Sequence, residues 1–151
     1  MSKVDDERWM RHALKLAEQA RDQGEVPVGA VIVLNDQLIG EGFNTPIAKH
    51  DASAHAEIQA IRMACSFTEN YRLPSSTMYV TLEPCTMCAG AMVHARIERV
   101  IIAAKEPRAG AAGSALNVLQ NEHFNHQCHT EFGLYSNVSS TLLKAFFKAR
   151  R

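Results

Sequence analysis

Apolar and polar positions follow two different periods along this chain, and these periods predict where helices and strands lie. An apolar residue recurs every three or four positions near the start, which predicts a helix over residues 5–23 that ends at Gly24. The apolar positions of that helix are Trp9, Ala13, Leu16, Ala17 and Ala20. Two strand-like runs follow, at 28–34 and 37–42, and the pair Asn35-Asp36 between them predicts a hairpin turn.

The rest of the chain alternates between helical and strand-like segments. Helices are predicted over 54–64, with Ser53 as N-cap, and over 87–96, while buried strands are predicted over 77–82 and 99–104. After a loop at 110–113, the pattern predicts a short helix capped by Ser114 and ending near 120, a weaker strand over 128–132 and a closing helix over 137–150. This order predicts an α/β fold in which helices cover one sheet.

Size and composition restrict the number of domains and the class of protein. The 151 residues, 46% hydrophobic and 21% charged, predict one globular domain over residues 1–151. No run approaches the roughly 18 apolar residues of a membrane span, so no membrane association is expected. The acidic start does not resemble a secretory signal, which predicts a cytoplasmic protein whose four cysteines are reduced.

The formal net charge is zero, yet cations concentrate in the last eight residues. Lys144, Lys148, Arg150 and Arg151 form a local patch that could hold RNA phosphates. Cations also stabilise the C-terminal end of a helix through its dipole. The sequence leaves both interpretations open.

Two short motifs carry the candidate chemistry: His55-Ala56-Glu57, and Pro84-Cys85 with Cys88 three residues further on. A catalytic zinc ion takes three nitrogen or sulfur ligands and leaves its fourth position to water, whose pKa it lowers toward about 7. His55, Cys85 and Cys88 supply those three ligands. Glu57 is left as an unligated carboxylate that can move protons.

Other interpretations of these cysteines were weighed against the catalytic one. A thioredoxin-like redox pair is disfavoured because Pro84 precedes the first cysteine and the usual tryptophan and glycine are missing. A closed structural zinc site would need a fourth ligand, for which Cys65, Cys128 or another histidine is available. The spacing favours an open, catalytic site.

The motifs and their flanking strings resemble the bacterial tRNA-specific adenosine deaminases, within the cytidine-deaminase-like superfamily of zinc deaminases. The matching strings are EVPVGAV at 25–31, GEGFN at 40–44, HDASAHAEI at 50–58, NYRL at 70–73, YVTLEPCTMCAGAM at 79–92 and GAAGS at 110–114. The resemblance implies a three-layer α/β/α fold with a central mixed five-stranded sheet. It also implies one Zn²⁺ per subunit, a homodimer, and hydrolytic deamination of the wobble adenosine in a tRNA anticodon loop to inosine.

The resemblance implies substrate contacts for four further residues, and a departure from the family pattern suggests a fifth. Asn44 resembles a base-recognising amide, Val26 an apolar wall, the Ala56 amide a donor to the base, and Phe147 an aromatic that stacks near the anticodon loop. A turn role for Asn44 and core packing for Val26 and Phe147 are the alternatives. Glu106 stands where the family typically has aspartate, and we expect it to accept a hydrogen bond from a ribose 2′-OH. Its alternative is an exposed ion pair with Lys105 or Arg108.

Two rival functions remain at this point. The same zinc chemistry could act on a free base or nucleoside, such as guanine, cytosine or cytidine. Alternatively, the zinc could stabilise a non-catalytic interaction domain, although the intact Glu57 argues against that.

Overall fold

The computed structural model describes residues 3–150 of the chain, with side chains from Asp5 onward. It contains five helices and five strands in these residues. In chain order the elements are α1 (Lys3–Asp22), β1 (Gly29–Leu34), β2 (Gln37–Phe43), α2 (Pro46–Lys49), α3 (Ala56–Thr68), β3 (Thr77–Leu82), α4 (Thr86–Ala95), β4 (Arg99–Ala104), β5 (His129–Phe132) and α5 (Ser136–Lys148).

The five strands form one mixed sheet in the order β2-β1-β3-β4-β5. β1 pairs antiparallel with both β2 and β3, whereas β3, β4 and β5 run parallel. The tight turn between β1 and β2 is the predicted one: Asn35 and Asp36 both have positive φ, at 51° and 59°. Two successive left-handed residues give the turn type whose twist matches a two-residue hairpin.

Alternating side chains of the sheet face two different helical layers. Ile32, Val80 and Ile102 pack with the buried faces of α3 and α4. Val31 and Tyr79 face the opposite way, toward α1. α5 contacts α1, β3 and β4. The predicted three-layer arrangement, with a mixed five-stranded sheet between helices, is therefore confirmed.

α3 lies unusually close to the sheet because β2 contributes glycines where the two elements meet. A Cβ atom on Gly42 would come within 2.5 Å of the Gln59 Cβ and 2.7 Å of the Ala56 carbonyl oxygen. Gly40 lies equally close to the helix at Ala60 and Ala64. This approach sets the position of the first turn of α3 relative to the sheet.

Two predicted local features are wrong. The helix predicted from residue 54 begins at Ala56, and the Ser53 hydroxyl donates to Asp51 Oδ1 instead of capping it. The helix predicted over 114–120 is absent, and these residues form turns with a bridge between Ala112 and Asn117. The four-residue helix α2 was not predicted.

None of the helices in the part of the chain that the structure describes is both long and apolar enough to cross a bilayer.

Candidate active site

The starts of α3 and α4 bring the two sequence motifs together. His55 is the N-cap residue of α3, Cys85 is the N-cap residue of α4, and Cys88 lies in the first turn of α4. Both helices follow loops at the same end of the sheet, where β3 ends just before Pro84. The His55 Nδ1 atom lies 3.6 Å from Cys85 Sγ and 3.5 Å from Cys88 Sγ.

This group fits a zinc ion. A tetrahedral ion bonded at about 2.0–2.1 Å to nitrogen and about 2.3 Å to sulfur separates such ligands by about 3.5 Å. All three ligand atoms lie within 4.8 Å of one another, and among the described residues no other histidine, cysteine or carboxylate joins the group. Cys65 and Cys128, the candidates for a fourth ligand, lie outside it. The donor set is therefore that of an open site, not of a closed structural one.

The charge state of the two cysteines also suits a cation. A hydrogen bond between the two thiols lowers the pKa of Cys85 to about 5, and the same bond raises the pKa of Cys88. A divalent cation in the same place would stabilise both as thiolates.

Glu57 lies in the first turn of α3, buried beside the ligands without joining them. Its residue surface is only 4% exposed. Burial raises the pKa of Glu57 to about 7, and the neighbouring Cys85 acts in the same direction. The side chain also contacts Cys88 by a hydrogen bond. Glu57 therefore lies next to the three candidate ligands, and its role as the catalytic carboxylate stays a prediction.

A cavity of about 240 Å³ opens over this group. Its walls come from five separate segments of the chain. The lining residues are Val26, Val28, Asn44, His55, Glu57, Leu82, Glu83, Cys85, Glu106 and Ala109. Three of the five expected substrate contacts, Val26, Asn44 and Glu106, therefore line one cavity with the metal group. Ala56 and Phe147 are not among its lining residues.

Asn44 and Ala56 are bonded to each other. The Ala56 amide, expected to donate to the base, donates to Asn44 Oδ1 at 2.8 Å. This bond caps the N-terminus of α3 from a distant segment, which is the role predicted for Ser53. With its oxygen engaged, Asn44 keeps its side-chain nitrogen as the group that can donate toward the cavity.

Glu106 forms a local bond within its own loop. Its Oε2 atom accepts from the Ala109 amide at 2.5 Å. No ion pair with Lys105 or Arg108 is found in the described part of the chain, so the alternative of an exposed pair does not hold. Contact with a ribose stays a prediction.

Two neighbouring aromatic residues near the end of α5 differ in their burial. Phe146 is 6% exposed and packs inward, whereas Phe147 is 46% exposed. Core packing therefore does not account for Phe147. The Arg150 guanidinium lies 3.5 Å from the centroid of the Phe146 ring and donates to the Phe146 carbonyl, as the interpretation of a helix-end cation requires. Lys144 and Lys148 are exposed, and Arg151 lies outside the described residues.

Two buried carboxylates near the cavity were missed from the sequence. Glu83 accepts hydrogen bonds from residues of the 106–114 segment. Glu25 accepts from the amides of Ile47 and Ala48 at the start of α2. The available signal was the presence of a glutamate at the border of an apolar strand, since carboxylates are rarely buried unless they are paired.

Comparisons with known proteins place the chain among deaminases. The chain matches the MafB19-like deaminase family over residues 4–151. It is 46% identical to the tRNA-specific adenosine deaminase of Haemophilus influenzae, covering 97% of this chain and 85% of that protein. A structure from a study of A-to-I editing by tRNA:A34 deaminases at the wobble position of transfer RNA is 40% identical, with a TM-score of 0.87, covering 90% of this chain and 99% of that one. The guanine deaminase of Bacillus subtilis is 38% identical with a TM-score of 0.65, covering 76% of this chain and 71% of that one.

Proposed function

The chain belongs to the tRNA-specific adenosine deaminases, within the MafB19-like deaminase family, and we propose that it converts the wobble adenosine of a tRNA anticodon to inosine, releasing ammonia. The observation that carries the proposal is a buried, unligated Glu57 beside an open set of three metal ligands in one small cavity. A non-catalytic zinc domain would need neither the free carboxylate nor the cavity.

His55, Cys85 and Cys88 would hold one Zn²⁺ per subunit. When bound, the ion supplies Lewis acidity that activates water at neutral pH. The chain's own residues do the remaining work. Glu57 would take one proton from the attacking water and deliver it to ring atom N1, and would then carry the second proton, from the new C6 hydroxyl, to the amine as the C6–N bond breaks and ammonia leaves. Because Glu57 is buried against the ligands, these transfers are shielded from bulk solvent.

The cavity suits one base that is extruded from the anticodon loop. At about 240 Å³ it is smaller than typical ligand pockets of about 300–1,000 Å³, so the neighbouring nucleotides would lie outside it. Asn44 would donate from its amide nitrogen to the purine, and Val26 would pack on its face. Phe147 is exposed to stack on a neighbouring base, and the exposed Lys148 beside it would contact phosphate.

We also expect a homodimer, because apolar side chains are exposed on and beside α4. Beside α4, a groove of about 450 Å³ runs from Gly90 to Phe124. Exposed Met87, Leu116 and Phe124 add apolar surface, each between 38% and 44% exposed. A surface of this kind is typical of an interface, and a second copy of the chain is the occupant that the proposed assembly supplies. A tRNA-modifying role also agrees with the expected cytoplasmic location.

The test is deamination by the purified, zinc-loaded protein. An anticodon stem-loop with adenosine at the wobble position, total tRNA, free guanine and cytidine are each incubated, and inosine, xanthine, uridine and ammonia are measured. We expect inosine at the wobble position and no turnover of the free compounds. Turnover of free guanine without editing of RNA would establish the rival function, and an inert protein with bound zinc would establish an interaction domain.

A further inference from the structure

We propose that Glu83 is a positioning residue that holds one wall of the substrate cavity in place through the 106–114 loop, so that it governs binding of RNA and not the chemical step. The inference rests on the proposed function for its substrate. Its structural part rests only on the contacts around one buried carboxylate.

Each oxygen of the Glu83 carboxylate accepts two hydrogen bonds from the 106–114 loop. Oε1 accepts from the Glu106 amide at 3.0 Å and from the Ser114 hydroxyl at 2.5 Å. Oε2 accepts from the Ala112 amide at 2.9 Å and from the Ser114 amide at 3.1 Å. The side chain belongs to a residue only 3% exposed, so water is a poor substitute for any of these bonds.

The loop is shaped to receive this carboxylate. A Cβ atom on Gly110 would lie 2.6 Å from Glu83 Oε1, which no side chain at that position could accept without moving the loop. The Ala111 amide donates to the Pro84 carbonyl at 2.8 Å, next to the ligand Cys85. The loop is thus tied on its inner side to the turn that carries the metal ligands.

The same loop forms a wall of the cavity that carries no metal ligand and no catalytic carboxylate. Glu106 and Ala109 line the cavity from this loop, whereas His55 and Glu57 belong to α3. Loss of the Glu83 bonds would therefore lower the fraction of molecules whose wall is in place to receive RNA. A lower fraction raises the apparent dissociation constant in proportion. The reacting groups on α3 and α4 would be unaffected once RNA is bound.

The charge of Glu83 matters as well as its shape. Three of its four donors are backbone amides, which can only donate. A glutamine has only one side-chain oxygen, and its other terminal group is an NH₂ donor. If the oxygen keeps the bonds to the Ala112 and Ser114 amides, the NH₂ group takes the place of Oε1 and faces the Glu106 amide and the Ser114 hydroxyl. The hydroxyl can rotate to accept from the NH₂ group, but the Glu106 amide loses its acceptor. Glu83→Gln should therefore release the Glu106 end of the loop first.

The experiment compares Glu83→Gln and Ser114→Ala with wild type, each as the zinc-loaded full chain. Glu98→Gln is the matched control, since Glu98 is an exposed carboxylate at the opposite end of β4. We expect bound zinc to be unchanged in all three. In Glu83→Gln we expect KM for the anticodon stem-loop to rise on the order of tenfold, with kcat changed much less, and in Ser114→Ala by about threefold. The control should behave as wild type.

Hydrogen exchange supplies a readout that needs no activity. We expect amides of the 106–114 loop to exchange faster in Glu83→Gln, while those of α3 and β3 keep their protection. An unchanged KM or unchanged loop exchange in both folded variants would overturn the proposal, as would loss of zinc from either. A fall in kcat at constant KM would assign Glu83 to the chemical step and also overturn it. If wild type itself does not deaminate the stem-loop, the proposed function fails, while the exchange data still decide whether Glu83 holds the loop.

Discussion

Replacing Gly42 by alanine should damage catalysis by moving α3, although Gly42 lies on a strand outside the cavity. The new Cβ would lie 2.5 Å from the Gln59 Cβ and 2.7 Å from the Ala56 carbonyl oxygen, where ordinary contacts are 3.4–4 Å. The obstacles are a helix backbone and a Cβ, not the flexible end of a side chain. The first turn of α3 must therefore move away from the sheet by about 1 Å.

The size of the effect follows from what that turn carries. His55 and Glu57 flank Ala56 in it, so both move relative to the cysteines on α4. A misplacement of about 1 Å can lower turnover by about a hundredfold. Overpacking of this kind costs about 1–3 kcal/mol in free energy of unfolding. We expect Gly42→Ala to stay folded, to unfold at lower denaturant concentration, and to lose far more kcat than its stability loss would explain.

Gly40→Ala is the matched control, because it crowds the same helix further along its length. Its Cβ would overlap the Ala60 carbonyl and lie 2.8 Å from the Ala64 Cβ, more than a turn away from His55. Urea unfolding, zinc content and kcat on the anticodon stem-loop are measured for both variants. We expect similar stability losses in the two variants but a much smaller loss of kcat for Gly40→Ala. Equal losses of kcat in the two variants, or normal kcat in Gly42→Ala, would show that movement of the first turn of α3 does not control catalysis.

Three further predictions follow from individual side chains. Glu57→Gln should retain zinc and lose deamination, whereas Cys88→Ala should lose zinc, activity and thermal stability together, because metal binding couples to folding; zinc loss from Glu57→Gln would contradict the assigned roles. Phe147→Ala should weaken RNA binding measured by fluorescence anisotropy without changing Tm, whereas Phe146→Ala should lower stability by about 3–5 kcal/mol; equal Tm losses would place both in the core. Burial raises the pKa of Tyr79, so the stability that its neutral phenol contributes is complete below pH of about 10 and is lost as the pH rises above it. The difference in free energy of unfolding between wild type and Tyr79→Phe should therefore shrink between pH 8 and about pH 11 in urea titrations, because the phenol ionises in the unfolded chain and stays neutral in the folded one. A constant difference would show that folding does not raise the pKa of Tyr79.

The sequence was sufficient to predict that His55, Cys85 and Cys88 lie close together, because each of them belongs to a local element. His55 and Cys85 occupy N-cap positions, and Cys88 follows within the same first turn, so short-range geometry places all three once two helices start at one end of a sheet. The pattern of apolar residues also predicted β3 and β4 correctly, because apolar runs that are buried on both faces of a sheet leave little choice of structure.

Contacts between distant segments were not predictable in this way. Ser53 has the residue type of an N-cap, but Asn44 occupies that role at the start of α3. Ser114 has the same type, yet its amide and hydroxyl bond to Glu83 and no helix forms there. In both cases a local propensity of about 1 kcal/mol competes with a tertiary hydrogen bond to a buried partner, and the tertiary bond decides the backbone.

Two buried glutamates, Glu25 and Glu83, each hold a loop beside the cavity in place. Glu25 fixes the segment after β2 through the amides of Ile47 and Ala48, and Glu83 fixes the 106–114 loop on another side of the cavity. Each satisfies backbone donors that would otherwise be buried without partners. His55, Cys85, Cys88 and Glu57 lie at the starts of α3 and α4, outside both of these loops. Because part of the cavity wall lies on loops that carry neither the candidate metal ligands nor Glu57, a change in loop sequence can alter which base or nucleic acid is accepted while the groups that carry out deamination are kept.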